Sequence, residues 1–439
     1  MFEYSEAGPG MHIAFVTAGG AGMFCGSCMQ DNAIARALMQ LDCEVSLIPT
    51  YTPIRVDQEN MSQTPVYLGG INLYLDNSLG FWKHLPRPLV SWLDHPRVIK
   101  WATSFGIKND GADLGPMTLS MLNGESGPMQ REYQVFVDHL VDDLKPDVIL
   151  FTNALLSGVM PLLNKRYSKP IFCLLQGDDL FLNQLPAQYR QTAIDSIRKN
   201  SEKFAGIITH TRVYADLMSE FLGIDRNRFL QIPLSVDVEA HEVQDRSTSD
   251  KTLPRIGYFA RIAPEKGLLE LVQATRHLHE DGIDFELHAG GYLGPQHRSY
   301  FKKIQSEAKF LGDRFQYIGS PAQHSEKMDF LRQLHLLSVP ANYEEPKGLY
   351  LLEAMAAGIP VVQPRRGSFP ELIESTGGGL MYEPGNSRDH ANSLRQLLEN
   401  PELHLQHRTS GLQGVNARHT SKEAAKALLK ICRDSVESP

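Results

Sequence analysis

Two glutamates in the second half of the chain stand on either side of a segment that could bind an anion. Proline and glycine follow Glu345 closely and favour a loop, whereas Glu353 lies in a run of strong helix formers. The junction between loop and helix brings backbone N–H groups near Lys347, Gly348 and Leu349, and the first N–H groups of a helix have no partner within it. A ligand with hydroxyls at both ends and a phosphate between them would fit this segment.

Two cations form a second cluster, on the loop that follows a predicted strand at residues 255–259. Arg261 and Lys266 lie five residues apart, just before a predicted helix. The guanidinium group can bind phosphate oxygens through two parallel hydrogen bonds, and the ammonium group adds a mobile point charge. Either cation alone is common on a protein surface, but cations near a helix N-terminus are unfavourable without an anion. Together they indicate a site for a diphosphate.

Short apolar strands alternate with helical patterns along most of the chain, which is typical of parallel sheets covered by helices. In the first half we predict strands at residues 12–17, 44–49, 147–151, 171–175 and 206–209. In the second half we predict them at residues 255–259, 285–289, 316–318, 336–339 and 360–363. Ligands of such sheets bind at the carboxyl ends of the strands. The predicted fold class is therefore α/β, with two doubly wound, Rossmann-like domains that face each other across a cleft.

A polar stretch at residues 239–254 interrupts the alternation and is predicted to be the linker between these domains. The N-terminal domain would then span residues 11–238 and the C-terminal domain residues 255–415. We expect residues 416–439 to form a helix that returns to the N-terminal domain. Residues 1–10 are expected to be a short disordered extension.

Residues 53–131 do not follow the alternation and contain all three tryptophans, at positions 82, 92 and 101, among several basic side chains. One interpretation is an inserted helical subdomain in which tryptophan serves for packing. The alternative is a platform for an acceptor, or a peripheral membrane contact through residues 81–105, because aromatic and basic side chains combine at membrane interfaces.

Composition excludes several classes of protein. A net charge of −8 over 439 residues argues against a general nucleic-acid-binding protein. No apolar run of about 18 residues is present, so we expect no transmembrane helix. The first ten residues lack the blocks of a signal peptide, and five scattered cysteines do not form a disulfide framework. We therefore expect a cytoplasmic protein.

The two chemical clusters resemble one known family. Residues 260–267 and 343–362 look like the donor-binding half of retaining glycosyltransferases of the GT-B fold, closest to glycosyltransferase family 4 (glycosyl transferase group 1). The spacing of arginine and lysine and of the two glutamates, each after a strand, is a specific signal. Residues 232–237 resemble the family's entry into its linker. The similarity covers roughly residues 11–50 and 140–430 and leaves the tryptophan-containing insertion unmatched.

The resemblance implies a role for each charged residue. Arg261 and Lys266 would hold the diphosphate of the donor, Glu353 would bind the ribose hydroxyls, and Glu345 would face the transferred sugar. The family works without a metal ion, since the two cations and a helix N-terminus take the place of a divalent metal. No metal-binding motif such as HExxH or paired CxxC is visible in the sequence, which agrees with a protein that needs no cofactor.

The same resemblance implies the reaction. A hexose would move from a nucleotide diphosphate sugar to a hydroxyl acceptor with retention of anomeric configuration, in carbohydrate or glycan biosynthesis. The backbone amides of Gly348 and Leu349 would contact sugar or phosphate. The acceptor could be a glycan, a lipid or a small molecule, and a lipid would place the protein at the inner membrane face. Neither the donor base nor the sugar can be predicted.

The N-terminal half matches the family less well. Gly20, Gly22 and Gly26 form a glycine-rich turn after the first strand, which would let the backbone approach donor and acceptor. The acid that an NAD site requires after the second strand is missing, which argues against NAD. Cys25 and Cys28 form a CxxC at a predicted helix start, where the pKa of a thiol is lowered. Because no thioredoxin-like context surrounds them, we favour packing over a redox role.

A second departure concerns the residue after the strand at 171–175, where the family commonly has histidine followed by glycine and this chain has Gln176. Glutamine can orient hydroxyls but cannot transfer a proton at neutral pH. In a front-face mechanism the leaving phosphate can accept the proton, so a protein base is not essential. Asp178 or Asp179 could hold an acceptor hydroxyl, or either could cap the following helix. His210 also follows a strand and could face the cleft or be structural.

Two functions from different classes agree with these residues. The first is a retaining glycosyltransferase, with Glu345 and Gln176 as candidate catalytic residues. The second is a catalytically weak nucleotide-sugar-binding protein that acts as a partner or regulator. Gln176 is the only support for the second function. The four intact charged residues of the two clusters weigh against it: Arg261, Lys266, Glu345 and Glu353. A Rossmann oxidoreductase fails because the required acid is missing.

Overall fold

The computed structural model describes residues 10–19, 26–54, 56, 58–62, 66–68, 111–124, 127, 129–237, 253–321 and 323–437. The chain divides into two compact units: unit 1 comprises Met1–Ile232 and Ser421–Pro439, and unit 2 comprises Pro233–Thr420. Several predicted features lie wholly or largely outside the described residues: the extension 1–10, the insertion 53–131 with its segment 81–105, and the linker 239–254.

Unit 1 is built, among its described residues, on a parallel six-stranded sheet with the strand order β2-β1-β3-β4-β5-β6. The strands are β1 (His12–Thr17), β2 (Glu44–Pro49), β3 (Val148–Phe151), β4 (Ile171–Leu174), β5 (Gly206–Thr209) and β6 (Phe229–Gln231). The helices are α1 (Gly26–Met39), α2 (Gly111–Leu122), α3 (Gln130–Asp138), α4 (Met160–Leu163), α5 (Asp178–Gln184), α6 (Ala187–Ser201) and α7 (Arg212–Leu222).

The inner strands of unit 1 are apolar because both faces of the sheet are covered. Every residue of β1, β3, β4 and β5 is buried. Alternate residues of β1 belong to different apolar clusters: Val16 packs with the cluster around Phe151, and Phe15 packs with the cluster around Ile34 of α1. Polar residues that follow these strands are therefore placed at the carboxyl edge of a rigid sheet.

Unit 2 repeats the architecture, and its described strands follow the order β12-β11-β10-β7-β8-β9 with every pairing parallel. The strands are β7 (Arg255–Phe259), β8 (Glu286–Gly290), β9 (Phe315–Tyr317), β10 (Leu336–Leu337), β11 (Val361–Pro364) and β12 (Gly379–Tyr382). The helices are α8 (Leu268–Glu280), α9 (Arg298–Glu307), α10 (His324–Arg332), α11 (Leu349–Ala356), α12 (Phe369–Thr376), α13 (Ser387–Glu399) and α14 (Pro401–Arg418).

The chain returns to unit 1 in α15 (Ser421–Glu437). The apolar stripe of this helix includes Ala424, Leu428 and Cys432, all fully buried in the same cluster as Ile34 of α1. Helix α15 thus completes the cover of one face of the first sheet. Among the helices that the structure describes, none combines the length and the hydropathy that crossing a bilayer requires.

The prediction of two doubly wound α/β domains is confirmed. Strands β6 and β12 were not predicted, and both lie at sheet edges. Each has only three or four residues, and β6 carries an exposed Leu230 and Gln231 while β12 begins with glycine. Edge strands bury less surface, so their sequences lack the continuous apolar run that marks the inner strands.

Candidate active site

Glu345 lies in the loop between β10 and α11, and the start of α12 fixes the backbone of this loop. The N–H group of Ser368 donates to the carbonyl oxygen of Glu345 at 2.9 Å, and the Ser368 hydroxyl donates to that of Pro346 at 2.8 Å. Gly367 lies close to this loop and has a φ of 55°, which suits glycine. A Cβ atom at this position would lie 2.4 Å from the backbone nitrogen of Glu345, so a larger residue would not fit. These contacts hold the main chain of the loop and leave the Glu345 side chain for other partners.

One carboxylate oxygen of Glu345 accepts three hydrogen bonds. Its Oε2 accepts from Lys266 Nζ at 2.5 Å, from Tyr343 OH at 2.7 Å and from Tyr350 OH at 2.9 Å. The residue is 5% exposed. Burial raises the pKa of Glu345, but the charge of Lys266 and the three hydrogen bonds together outweigh burial and bring the pKa below its usual value. Glu345 is therefore a carboxylate held in one orientation.

Lys266 ends the short 3₁₀ turn Pro264–Lys266 that follows β7. Its ammonium group also donates to Tyr343 OH at 2.5 Å and lies 5.0 Å and 5.5 Å from the ring centroids of Tyr343 and Tyr350. Burial and the nearby Glu345 charge raise the pKa of both tyrosines, so their hydroxyls stay protonated as donors. An ammonium group has three N–H donors. The hydrogen bonds among the described residues use two of them, and the Lys266 side chain is 15% exposed.

Helix α11 carries the other glutamate. It begins after Gly348, whose φ of 82° suits glycine, and Leu349 is its first residue. Glu353 lies on the second turn of the helix, where Lys327 of α10 donates to its Oε1 at 2.9 Å. The Lys327 and Glu353 side chains are 9% and 14% exposed. This ion pair therefore links two helices in a nearly buried position.

Glu345 and Glu353 share a pattern that their spacing did not reveal. In each carboxylate one oxygen is held by a lysine, while the other, Oε1 of Glu345 and Oε2 of Glu353, has no hydrogen bond to the described residues. Neither of these oxygens is among the fully buried polar atoms without a partner, so each is accessible. Accessible carboxylate oxygens accept hydrogen bonds from hydroxyl groups. The two acids are thus suited to bind hydroxyls of a ligand.

Arg261 lies just after β7 and is paired with Glu265 at 2.5 Å. The side chains are 48% and 36% exposed, and exposed ion pairs of this kind contribute little to stability. Arg261 and Lys266 thus each have a glutamate partner, and their role in binding a diphosphate stays a prediction.

In unit 1, Gln176 follows β4 and is 7% exposed. Its side-chain nitrogen donates to Asp31 Oδ1 at 2.7 Å, and the Thr152 hydroxyl donates to Asp31 Oδ2 at 2.7 Å. Asp31 lies on α1 and is completely buried. Sequence analysis did not identify Asp31, because a single acid inside a helix gives no sign of a partner that lies 145 residues away.

Asp178 and Asp179 are the first two residues of α5, and the preceding glycine occupies the N-cap position. Capping of the helix by either acid stays a prediction. Asp178 accepts backbone N–H bonds from Ala154 at 2.7 Å and from Gln176 at 3.0 Å, and Asp179 accepts from Tyr214 OH at 2.7 Å. Burial raises the pKa of Asp178, although these backbone bonds oppose the rise. A role in holding an acceptor hydroxyl stays a prediction.

The remaining predicted residues of unit 1 are partly described. His210 follows β5 and is 2% exposed, Gly26 is the first residue of α1, and Cys28 is 2% exposed in the apolar core. Outside the described residues lie Gly20, Gly22 and Cys25. In the part of the chain that the structure describes, no group of three or more histidine, cysteine or acidic side chains could hold a metal ion.

Comparison with known proteins shows a similarity to one family of enzymes. Residues 240–412 match the family model described as glycosyl transferases group 1. The chain is also 31% identical over 206 residues to 2-deoxystreptamine glucosyltransferase from Streptomyces kanamyceticus, an alignment that covers 45% of this chain and 52% of that protein. The similarity to group 1 glycosyltransferases thus lies mainly in the second half of the chain. The chain spans about half the length of the curated relatives that it matches first.

Solved structures share the fold of this chain. Sucrose-phosphate synthase from Thermosynechococcus elongatus superposes with a TM-score of 0.69 at 16% identity, covering 97% of this chain and 98% of that chain. HepE from Anabaena, solved in complex with UDP, gives a TM-score of 0.66 at 16% identity over 97% of this chain and 100% of that chain. The fold is GT-B, as predicted.

Proposed function

We propose that this protein transfers a hexose from a nucleotide diphosphate sugar to a hydroxyl acceptor, with retention of anomeric configuration and without a metal ion. The observation that best supports this proposal is the cluster around Lys266. Its ammonium group binds Glu345 and Tyr343, and we take its third N–H to bind the ligand. An anion-binding group and a hydroxyl-binding carboxylate are thereby joined in one rigid unit. The match of residues 240–412 to the group 1 glycosyltransferase model supports glycosyl transfer as the reaction.

The proposed roles follow from the atoms that remain open in the cluster. Lys266, Arg261 and the N-terminus of α11 stabilise the negative charge that grows on the diphosphate as it leaves. Glu345 Oε1 accepts a hydrogen bond from a hydroxyl of the transferred sugar. Glu353 Oε2 accepts one from the ribose. These positions orient the donor and raise its reactivity without forming a bond to the protein.

Retention is proposed through reaction on one face of the sugar. The bond between the anomeric carbon and the phosphate oxygen breaks, the bond to the acceptor oxygen forms on the same face, and the acceptor proton passes to the leaving phosphate. Gln176 cannot accept this proton, which suits a mechanism in which the phosphate does so. The rigid carboxylate of Glu345 acts through hydrogen bonding and charge.

Ligand binding and donor hydrolysis test the proposal together. Purified protein is mixed with UDP, GDP and ADP sugars, and the shift in melting temperature and the release of nucleotide are measured for each. HepE was solved with UDP, which makes UDP-glucose the first donor to test. A true donor raises the melting temperature by mass action and is slowly hydrolysed. Activity that survives EDTA, and NMR of the product anomer, check metal independence and retention.

Arg261→Ala is the informative variant. Lys266→Ala would leave Glu345 buried without its cation, which costs about 3–5 kcal/mol and risks unfolding. The exposed Arg261 can be removed with little effect on the fold. We expect the nucleotide-induced shift to fall clearly in Arg261→Ala and to be unchanged in the matched control Arg332→Ala, which removes another exposed ion pair of unit 2. An equal shift in both variants refutes the assignment of Arg261.

One outcome would favour the second function. Gln176, which stands where the family commonly has histidine, is the observation behind a protein that binds nucleotide sugars without transferring them. Nucleotide binding without hydrolysis of any common donor would support this partner or regulatory role. Hydrolysis at a steady, protein-dependent rate would exclude it.

A further inference from the structure

Lys327 has no role in the proposed function, but it binds Glu353, which does have such a role. It belongs to α10, while Glu353 belongs to α11, and their side chains meet at 2.9 Å. Both side chains are nearly buried, at 9% and 14% exposure. The free energy of desolvating two buried charges is about as large as the free energy gained from their attraction. A buried ion pair is therefore weak evidence for a contribution to stability. What the pair does provide is a fixed direction for the carboxylate.

The direction is specific to one oxygen. Lys327 binds Oε1 of Glu353, and Oε2 has no hydrogen bond to the described residues and is not fully buried. Without the ammonium group the carboxylate could turn about its side-chain torsions and offer either oxygen, with a loss of rotamer entropy on binding. With Lys327 in place, a ligand hydroxyl meets an acceptor that is already oriented.

Charge gives Lys327 a second effect on the same ligand. Glu353 lies on the second turn of α11, close to the helix N-terminus that is proposed to bind the diphosphate. An uncompensated carboxylate there would repel the phosphates at short range. Lys327 neutralises it, just as Lys266 neutralises Glu345. A hydroxyl-binding acid can therefore stand beside an anion site without a net electrostatic cost.

We propose that Lys327 is a positioning residue that sets the preference of this protein for ribonucleoside diphosphates over their 2′-deoxy analogues. This inference rests on the proposed function, because it takes Glu353 to bind the ribose hydroxyls. Lys327 does not touch the nucleotide. It orients and neutralises the carboxylate that accepts hydrogen bonds from the ribose diol.

The test measures a ratio of dissociation constants, which a purely structural role would not change. Titration calorimetry gives Kd for UDP and for 2′-deoxy-UDP, or for the GDP or ADP pair if that base is the one bound. We expect wild-type protein to prefer the ribonucleotide by about tenfold or more, since a hydrogen bond to a charged group is at stake. In Lys327→Met the ratio should fall close to one, mainly through weaker binding of the ribonucleotide. The control Lys303→Met, at an exposed position of α9, should keep the wild-type ratio.

The outcomes separate this inference from the function on which it rests. If wild-type protein binds none of the UDP, GDP and ADP pairs, the proposed function and the inference both fail. If it binds and prefers ribose, but Lys327→Met folds and keeps the full preference, the inference alone is overturned. If Lys327→Met does not fold, Lys327→Gln decides, because a neutral donor should reduce the ratio to an intermediate value and an unchanged ratio again rejects the inference.

Discussion

Replacing Tyr350 by phenylalanine removes one of the three hydrogen bonds that orient Glu345 and changes nothing else in the side chain. The Tyr350 hydroxyl donates to Glu345 Oε2 at 2.9 Å, and the ring packs against Phe369 at a centroid distance of 6.3 Å. The ring and its packing are kept in the variant. The carboxylate still accepts from Lys266 and Tyr343 but is held less firmly.

The size of the effect follows from the charge of the acceptor. A hydrogen bond to an ionised group contributes about 1.5–3 kcal/mol, roughly twice a neutral one. Two donors remain on Glu345, so we expect the lower end, about 1.5 kcal/mol, if the carboxylate acts in the transition state. Each 1.36 kcal/mol changes the rate tenfold, so kcat for sugar transfer or donor hydrolysis should fall about tenfold in Tyr350→Phe.

The assay compares kcat and KM for the donor with the free energy of unfolding in urea. Tyr133→Phe is the matched control, since the buried Tyr133 hydroxyl donates to the neutral carbonyl oxygen of Met121 at 2.7 Å in unit 1. The control should lose about 1 kcal/mol of stability and keep its kcat. If Tyr350→Phe also loses stability but keeps kcat within twofold, the tyrosines only pack around Glu345 and the reasoning is refuted.

Three further predictions concern strain, buried charge and pH. Gly367→Ala should lower both melting temperature and activity, because its Cβ would meet the Glu345 backbone. The control Gly282→Ala, with a φ of 78° and nothing within 4 Å of its Cβ, should cost only about 1–2 kcal/mol and keep the activity. Gln176→Glu places a second carboxylate beside Asp31 in a buried site, which raises the pKa of one of the two acids in the folded state. The melting temperature of this variant should therefore fall as pH rises. In the exposed control Gln191→Glu the melting temperature should depend on pH as it does in the wild type. The pKa of Glu345 is lowered by folding, so its ionisation stabilises the fold above the unfolded value of 4.5 and this contribution is lost as pH falls. The difference in unfolding free energy between wild type and Glu345→Gln should therefore shrink below that pH, and a constant difference would contradict the assignment.

Much of the fold follows from the sequence because its inner strands are continuous apolar runs. The predicted bounds of β1, β2, β5 and β7 agree with the structure, and those of the other predicted strands shift by one or two residues. The inner runs are readable because each inner strand is covered on both faces. Of the edge strands, β2 and β9 were predicted, whereas β6 and β12 were missed: β6 has only three residues, two of them exposed, and β12 begins with glycine.

Some residues of the candidate site could be identified from the sequence, and others could not. Glu345, Glu353 and Lys266 could be identified because their spacing along the chain encodes a loop, a helix start and a strand end. Lys327 and Asp31 could not, because each meets its partner only after distant elements pack together, across 26 residues for Lys327 and Glu353 and 145 for Asp31 and Gln176. Spacing also cannot show that one oxygen of a carboxylate is held and the other is open.

The position of α15 sets an order of events during synthesis. The first sheet and α1 leave the ribosome early, but the helix that covers their apolar face follows only after Pro233–Thr420. At about 5–20 residues per second, those residues take on the order of 10–40 s to make. During that time the apolar surface around Ile34 is not covered by Ala424 and Leu428 of α15. The nascent chain therefore exposes this apolar surface until α15 has been made.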